Sequence, residues 1–191
     1  MSRPPSASRR PRADAERNRL RILDAARTLF AERGAEVQMP EIARTADVGI
    51  GTVYRHFPTQ RALIEAAADH RFAEIQDFAR TECLDNASPG TALACYLRHV
   101  GEVLAGDRGL SIAIETSRAT PGSEPRGTVR ADLESTVRLL IEKDQAAGAL
   151  REDCTVGDVY MIAGSLSAAI RTGSGDWRRL LDLVLDGLRP C

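Results

Sequence analysis

The residues able to do chemistry in this 191-residue chain are few, and their spacing favours contact over catalysis. Its four cysteines, Cys83, Cys95, Cys154 and Cys191, are scattered and form no C-x-x-C pair. That spacing suggests neither a zinc knuckle nor a redox motif, so they read as buried or incidental thiols. His56, His70 and His99 lie far apart, with no H-x-x-x-H or H-E-x-x-H, and give no metal set. There is no G-x-S-x-G elbow and no phosphate loop. No cofactor, metal or catalytic group is expected, and therefore no enzyme. The one dense group of donors is IGTVYRH, Ile50 to His56. Thr52, Tyr54 and His56 are short or rigid donors suited to phosphate oxygens, contacts that set position without reading sequence. Ile50 can pack on a thymine methyl and Arg55 can pair with guanine. Gly51, lacking a side chain, allows close backbone approach to DNA.

To present such a group, a short helix must be braced by another so that it can enter a major groove. The surrounding stretch, MPEIARTADVGIGTVYRHF (Met39 to Phe57), has the parts. Pro40 to Ala46 reads as one short helix, with proline at the tolerated first turn. Ile50 to His56 reads as the next, ended by Phe57-Pro58. Ala43 is the small residue where the two must cross, and Asp47 tolerates the positive φ that the turn needs. Ile42, Val48 and Val53 can point back to a core under a preceding helix. A plain helical hairpin in an all-α core is the alternative, but a core would favour Leu where this chain has Gly-Thr and Tyr-Arg-His.

Ahead of this pair, Ile22, Ala25, Ala26, Leu29 and Phe30 recur at helical spacing, and Gly34 supplies a stop. Residues 1–13 carry four Arg, three Pro and three Ser with no acid, and predict a disordered arm. The arm is either a solvated tail or a contact to phosphates and the adjacent minor groove. A long helix is expected from about Thr59 to Glu82, with Thr59 as its N-cap. Apolar residues at helical spacing then mark segments through Leu93–Leu104, Leu110–Arg118, Val129–Ile141, Val159–Ile170 and Trp177–Leu188. No stretch alternates apolar and polar residues with β-branched enrichment. The expectation is an all-α fold of about nine helices: an arm at 1–13, a helix-turn-helix domain at 14–58, and a second helical domain at 59–191.

Net charge is only −1, which argues against a nucleic-acid partner until its distribution is read. Residues 1–60 hold 11 Arg against 7 acids, a balance of +4; the remainder holds 15 bases against 20 acids, a balance of −5. Such asymmetry suits a chain with one DNA-facing end and another end with a different task. No apolar run approaches the roughly 18–20 residues that span a bilayer, and no apolar stretch follows the basic N-terminus as in a signal peptide. The default is a cytoplasmic protein with no membrane partner.

LDAARTLFAERG (Leu23 to Gly34), Ile42-Ala43 and GTVYRHFP (Gly51 to Pro58) together resemble the TetR family of one-component regulators. The detailed similarity covers about residues 15–75; beyond that only the helical layout is similar. The resemblance implies a homodimeric regulator of transcription, usually a repressor, released from palindromic double-stranded operator DNA by a small-molecule effector. Three positions depart from the pattern. Gln38 stands where Ser or Thr usually opens the second helix, and Gly49-Ile50 where Ser-Lys or a similar pair is common. Gln60 replaces a lysine often found beside the DNA backbone. The DNA-facing set expected from motif and resemblance is Gln38, Met39, Gly49, Ile50, Gly51, Thr52, Tyr54, Arg55, His56 and Gln60.

The resemblance further implies that the last two helices of each subunit form a four-helix interface, giving Leu166, Ile170, Trp177, Leu181, Val184, Leu185 and Leu188 as interface candidates. Gly164, Ser165, Ser167, Ala168 and Ala169 would permit close approach there. Trp177 either anchors that interface or belongs to the subunit core. Tyr96, His99 and Glu115 are polar or aromatic groups on apolar helices, placed to orient an effector in a pocket or simply satisfied within the fold. Two rival functions stay open: a constitutive DNA-binding regulator without effector, and a helical adaptor or enzyme that uses the hairpin for protein contacts.

Overall fold

Ile22, Leu23, Ala26 and Phe30 share one side of a helix, and all four are fully buried in the computed structural model of the protein, which describes residues 9–120 and 122–190. They lie on α1 (Arg9–Arg33), which ends at Gly34 with φ +61° and passes through a 3₁₀ turn, Gly34–Glu36. The helix begins inside the segment read as a disordered arm. Pro11 falls in its first turn, where a missing N–H costs no helical hydrogen bond. Residues 1–8 of the arm lie outside the described residues.

α2 (Met39–Thr45), α3 (Ile50–His56) and α4 (Gln60–Phe78) follow at short intervals. Thr59 caps α4 as expected, its hydroxyl accepting from the Ala62 N–H at 3.1 Å. Regular helix stops at Phe78, four residues before the expected end at Glu82. The chain then widens into a π-helical segment, Ala79–Asn86, where the Asn86 side-chain amide donates back to Thr81 O at 2.7 Å. After it come α5 (Ala92–Gly106), α6 (Arg108–Arg118), α7 (Gly127–Ala146), α8 (Val156–Thr172) and α9 (Trp177–Gly187). No strand occurs among the described residues, and the nine α-helices match the count that apolar spacing predicts.

α5 is the central helix and packs against α7, α8 and α9. Its own Thr91 gives no side-chain cap. Asp144 of α7 does so instead, accepting from the Ala92 and Leu93 N–H groups at 3.1 and 2.8 Å. A carboxylate at a helix N-terminus is favoured by both the orphan donors and the helix dipole. Cys83, fully buried, and the partly buried Cys95 of α5 form a disulfide, Cα–Cα 5.6 Å, tying the π segment to α5. For these two residues the reading as incidental thiols is corrected: a separation of 12 residues makes no local motif, and only the intervening turn brings them together. Cys154 is a buried free thiol, its pKa pushed up by burial.

α6 packs against α1 and the turn that follows it. Gly109 lies so close to the end of α1 that a Cβ there would sit 1.9 Å from the Phe30 carbonyl oxygen. Beside it, Arg27 of α1 donates to Asp107 at 2.9 Å and also pairs with Glu74 of α4. This joint holds α1, α4 and α6 in one arrangement.

Candidate nucleic-acid interface and effector cavity

The α2–turn–α3 unit follows from local rules. The Glu41 carboxylate accepts from the Gln38 N–H and from Arg33, both at 3.0 Å, and these bonds hold its pKa below the usual range. Asp47 adopts φ +51°, turning the chain so that the Val48 N–H reaches Ala43 O at 3.0 Å. Ala43 is buried, and Ile42 and Val53 are fully so, which fixes the inner faces of both helices. The outer face of α3 is then set by its 3.6-residue period. Ile50 is 41% and Tyr54 48% exposed, and Arg55 is exposed with no ion pair among the described residues. Nothing lies within 4 Å of a Cβ built on Gly49 or Gly51. Thr52 and His56 are half-buried at the edges of this face.

Two expected DNA-facing residues, Met39 and Gln60, stand differently. Met39 is buried in the core, so its side chain is unavailable to a duplex without unfolding the first turn of α2. Gln60 is turned inward: its amide donates to Val37 O at 2.8 Å and Ala35 O at 3.3 Å, bracing the α1–α2 connection. Those carbonyls lie in irregular backbone and need donors, which explains a glutamine at the start of α4. Gln38 remains exposed, with its amide on Glu36 O at 3.3 Å.

In the second domain a cavity of about 350 Å³ opens between α4, α5, α7, α8 and the 122–126 loop. Its walls are apolar, with Phe72 and Ile75 from α4, Val100 and Leu104 from α5, Leu133 from α7 and Val159 from α8. Tyr96 lines it. His99 and Glu115 do not, a correction in both cases. The His99 ring stacks on Phe78 with centroids 3.6 Å apart, and burial lowers its pKa. Glu115 accepts from the Gly122 N–H at 3.0 Å and pairs with Arg171 at 3.3 Å, which ties α6 to its following loop and to α8. Sequence reading missed Tyr160 and Arg130, both of which line the cavity. Tyr160 carried the same signal as Tyr96, a phenol inside an apolar helical run, and was legible in principle. Arg130 looked like any solvated basic residue. Burial pushes the Tyr160 pKa up to about 12 and raises that of Tyr96 as well, so both phenols are neutral donors at ordinary pH.

Behind this wall lies a buried cation. Arg71 of α4 is fully buried and bonds Ser111 of α6 at 3.0 Å and the Ser123 carbonyl at 3.3 Å. It has no carboxylate in contact, and burial lowers its pKa to about 10. Arg118, at the end of α6, is clamped by Glu65 of α4 at 2.7 Å, and that bond holds the Glu65 carboxyl below its ordinary value.

Of the interface candidates, Leu166, Trp177 and Leu181 belong to the subunit core. The Trp177 ring fills the space over Gly101, where a Cβ would lie 2.1 Å from it. Without a side chain at Gly101, α5 offers a slot, and the indole gains more by filling it than by waiting for a partner. Ile170, Val184, Leu185 and Leu188 are partly buried against that core. The same two helices leave Met161 65% and Leu183 53% exposed, with Gly164 and Ser165 open beside them.

Comparison with known proteins agrees with this architecture. Residues 22–67 match the family model described as bacterial regulatory proteins, tetR family. Residues 88–190 match the C-terminal domain of SbtR-like transcriptional regulators. The crystal structure of the TetR transcription regulatory protein from Mycobacterium vanbaalenii is 38% identical, covers 94% of this chain and 99% of its own, and superposes with a TM-score of 0.69. RolR in complex with its ligand resorcinol is 25% identical, with coverage of 92% and 89% and a TM-score of 0.63. The transcriptional repressor KstR of Mycobacterium tuberculosis is 37% identical over 79 residues, which is 40% of this chain but only 36% of that protein. Two domain models with both halves of the fold accounted for place the chain in one group: it belongs to the TetR family of bacterial transcriptional regulators.

Proposed function

We propose that the protein is a homodimeric DNA-binding regulator, a repressor that leaves a palindromic operator when a small molecule enters the second-domain cavity. The observation that carries the DNA-binding part is the outer face of α3. Ile50, Gly51, Tyr54 and Arg55 stand exposed on a helix whose other side is fully buried at Val53. Nothing within the chain requires an aromatic, an arginine and an open glycine there, whereas a groove does. Tyr54 and Thr52 hold phosphates, Gly51 lets the backbone approach, and Ile50 and Arg55 meet base edges.

The exposed side of α8 and α9, with Met161, Leu183, Gly164 and Ser165, serves as the two-fold interface, replacing the anchors now placed in the core. Two-fold symmetry sets two copies of α3 about 34 Å apart or somewhat more, on successive turns of one duplex face. No helix among the described residues is long and apolar enough to cross a membrane. A regulator of this kind acts in the cytoplasm.

The effector reading rests on the cavity itself, whose volume is within the range of ligand sites, roughly 300–1,000 Å³. It favours an effector-responsive protein over a constitutive one. RolR, of the same fold, binds resorcinol in its solved complex. Phe72 and Ile75 put α4 on the cavity wall, and the same helix begins directly after α3, so a ligand that repacks α4 shifts the reading heads. A coupling of about 1–3 kcal/mol, or 5–150-fold in affinity, is typical. The test is selection of bound fragments from random duplex DNA, followed by mobility shift and by sedimentation of the free protein. A symmetric bound site and a dimer are expected. Absence of salt-sensitive duplex binding by the folded protein overturns the reading. A crosslink fixing the spacing of the two α3 helices should abolish effector release; release that persists rejects the α4 route.

A further inference from the structure

The chemical class of the effector follows from which polar groups in the cavity lack partners, an inference that rests on the effector-responsive reading above. The lining is apolar except at Tyr96, Ser123, Glu124, Arg130, Tyr160 and Ser167. Arg130 is engaged by Glu134 at 2.7 Å and lies over the Tyr160 ring, 5.0 Å from its centroid. The Ser123 carbonyl accepts from Arg71. Glu124, exposed at the rim, adds a negative charge. The Tyr160 hydroxyl is shielded from solvent and makes no hydrogen bond, and Tyr96, 4% exposed, makes none among the described residues either. Two phenol donors on facing helices α5 and α8 are therefore unspent inside an apolar cavity.

We infer that the cavity takes an uncharged, mostly apolar molecule of about one ring or a short chain, held by a single acceptor oxygen to which Tyr96 and Tyr160 donate. An acceptor satisfies hydroxyls that folding leaves unpaired. An anion would enter a mostly apolar cavity whose one lining cation among the described residues, Arg130, already has a carboxylate, past the negative Glu124, and would have no free counter-charge. Arg71, the other nearby cation, is walled off behind Ser123. The volume of about 350 Å³ sets the size limit.

Three probes of similar shape separate the possibilities: acetophenone with a neutral carbonyl, benzoate with a charge, and isopropylbenzene with no acceptor. Binding to the full-length protein is measured by calorimetry, alongside the double variant Tyr96→Phe/Tyr160→Phe. Acetophenone is expected to bind at least ten-fold more tightly than isopropylbenzene, and benzoate most weakly. The double variant should erase the acetophenone advantage while leaving isopropylbenzene unchanged. Tighter binding of benzoate, an advantage that survives in the double variant, or binding of none of the three overturns the inference. If the double variant fails to fold, judged by its helical circular dichroism, the ranking on the native protein still decides. A mobility shift with the selected operator keeps the two readings apart. Should benzoate both bind and release DNA, the neutral class falls while effector control stands. Should acetophenone bind as expected with no change in operator affinity, the ligand class stands and effector control falls.

Discussion

Tyr54 and Arg55 sit side by side on α3, yet their chemistry gives them different tasks. A phenol hydroxyl reaching a phosphate loses one hydrogen bond when Tyr54 is changed to Phe, so affinity should fall by about 0.5–1.5 kcal/mol on every duplex tested. Arg55→Ala should instead alter sequence preference, because a guanidinium paired with guanine edges discriminates among bases. Titration of both variants against the selected operator and a scrambled duplex measures the difference. A Tyr54→Phe variant that changed preference without general loss would remove the phosphate assignment. Glu65 allows a separate test. Its carboxyl lies below the ordinary 4.5 because Arg118 donates to it. A carboxyl whose folded pKa is depressed stabilises the fold above its unfolded value, and that stability is lost as pH falls through the folded pKa. Below about pH 4.5 the native protein should therefore weaken, and Glu65→Gln should show a shallower acid slope. At neutral pH the same change should cost about 1–3 kcal/mol, since the buried Arg118 loses its counter-charge and keeps only neutral acceptors, the new amide oxygen and the Glu124 carbonyl at 2.8 Å. Urea midpoints across pH measure both effects.

Among the elements, α6 carries the joint with α1. A methyl added at Gly109 meets the backbone of α1 at Phe30 and Ala31, which cannot swing aside as a side chain can. Gly109→Ala should lower stability by about 1–3 kcal/mol, the usual cost of overpacking. Gly106, three residues earlier with open space around it, is the control, and Gly106→Ala should be neutral or mildly stabilising. Denaturant midpoints of the pair settle this, and equal effects would mean that the α1–α6 contact is looser than described. α6 is also tied to α4, the helix through which the proposed response runs. Arg71 and Arg118 span the two helices, and Arg71 also grips the loop that walls the cavity. The capping of α5 by Asp144 works the same way: a helix start that looks uncapped along the chain is completed from across the core.

Charge is divided between the two ends of the chain, with +4 over residues 1–60 and −5 over the rest, so the overall −1 conceals a basic DNA-facing end. Binding led by phosphate contacts releases counterions, and the logarithm of affinity falls by about 0.9 per contact with the logarithm of salt. The dimer, with two reading heads, should show about twice the slope of a monomeric variant such as Leu183→Glu, which places a charge on the exposed α9 face. Fluorescence anisotropy over a salt series, with sedimentation to confirm the state of each protein, provides the measurement. Equal slopes would rule out two-headed binding.

Much of this was readable along the chain because it depends on neighbours a few residues away. The positive φ at Asp47, the cap at Thr59, the helical periods and the exposed side of α3 are local, and sequence alone set them. A period, however, says which side of a helix is buried and not what covers it. Trp177, Leu166 and Leu181 had the apolar spacing of an interface and lie in the core, because Gly101 on another helix left a slot. Met39 and Gln60 turned inward for the same kind of reason, as core space and unpaired carbonyls lay within reach. Tyr96 and Tyr160, His99 on Phe78, and Cys83 beside Cys95 met their surroundings only when distant helices packed. Contacts of that range depend on packing shape and on groups many residues away, which no local pattern of the chain encodes.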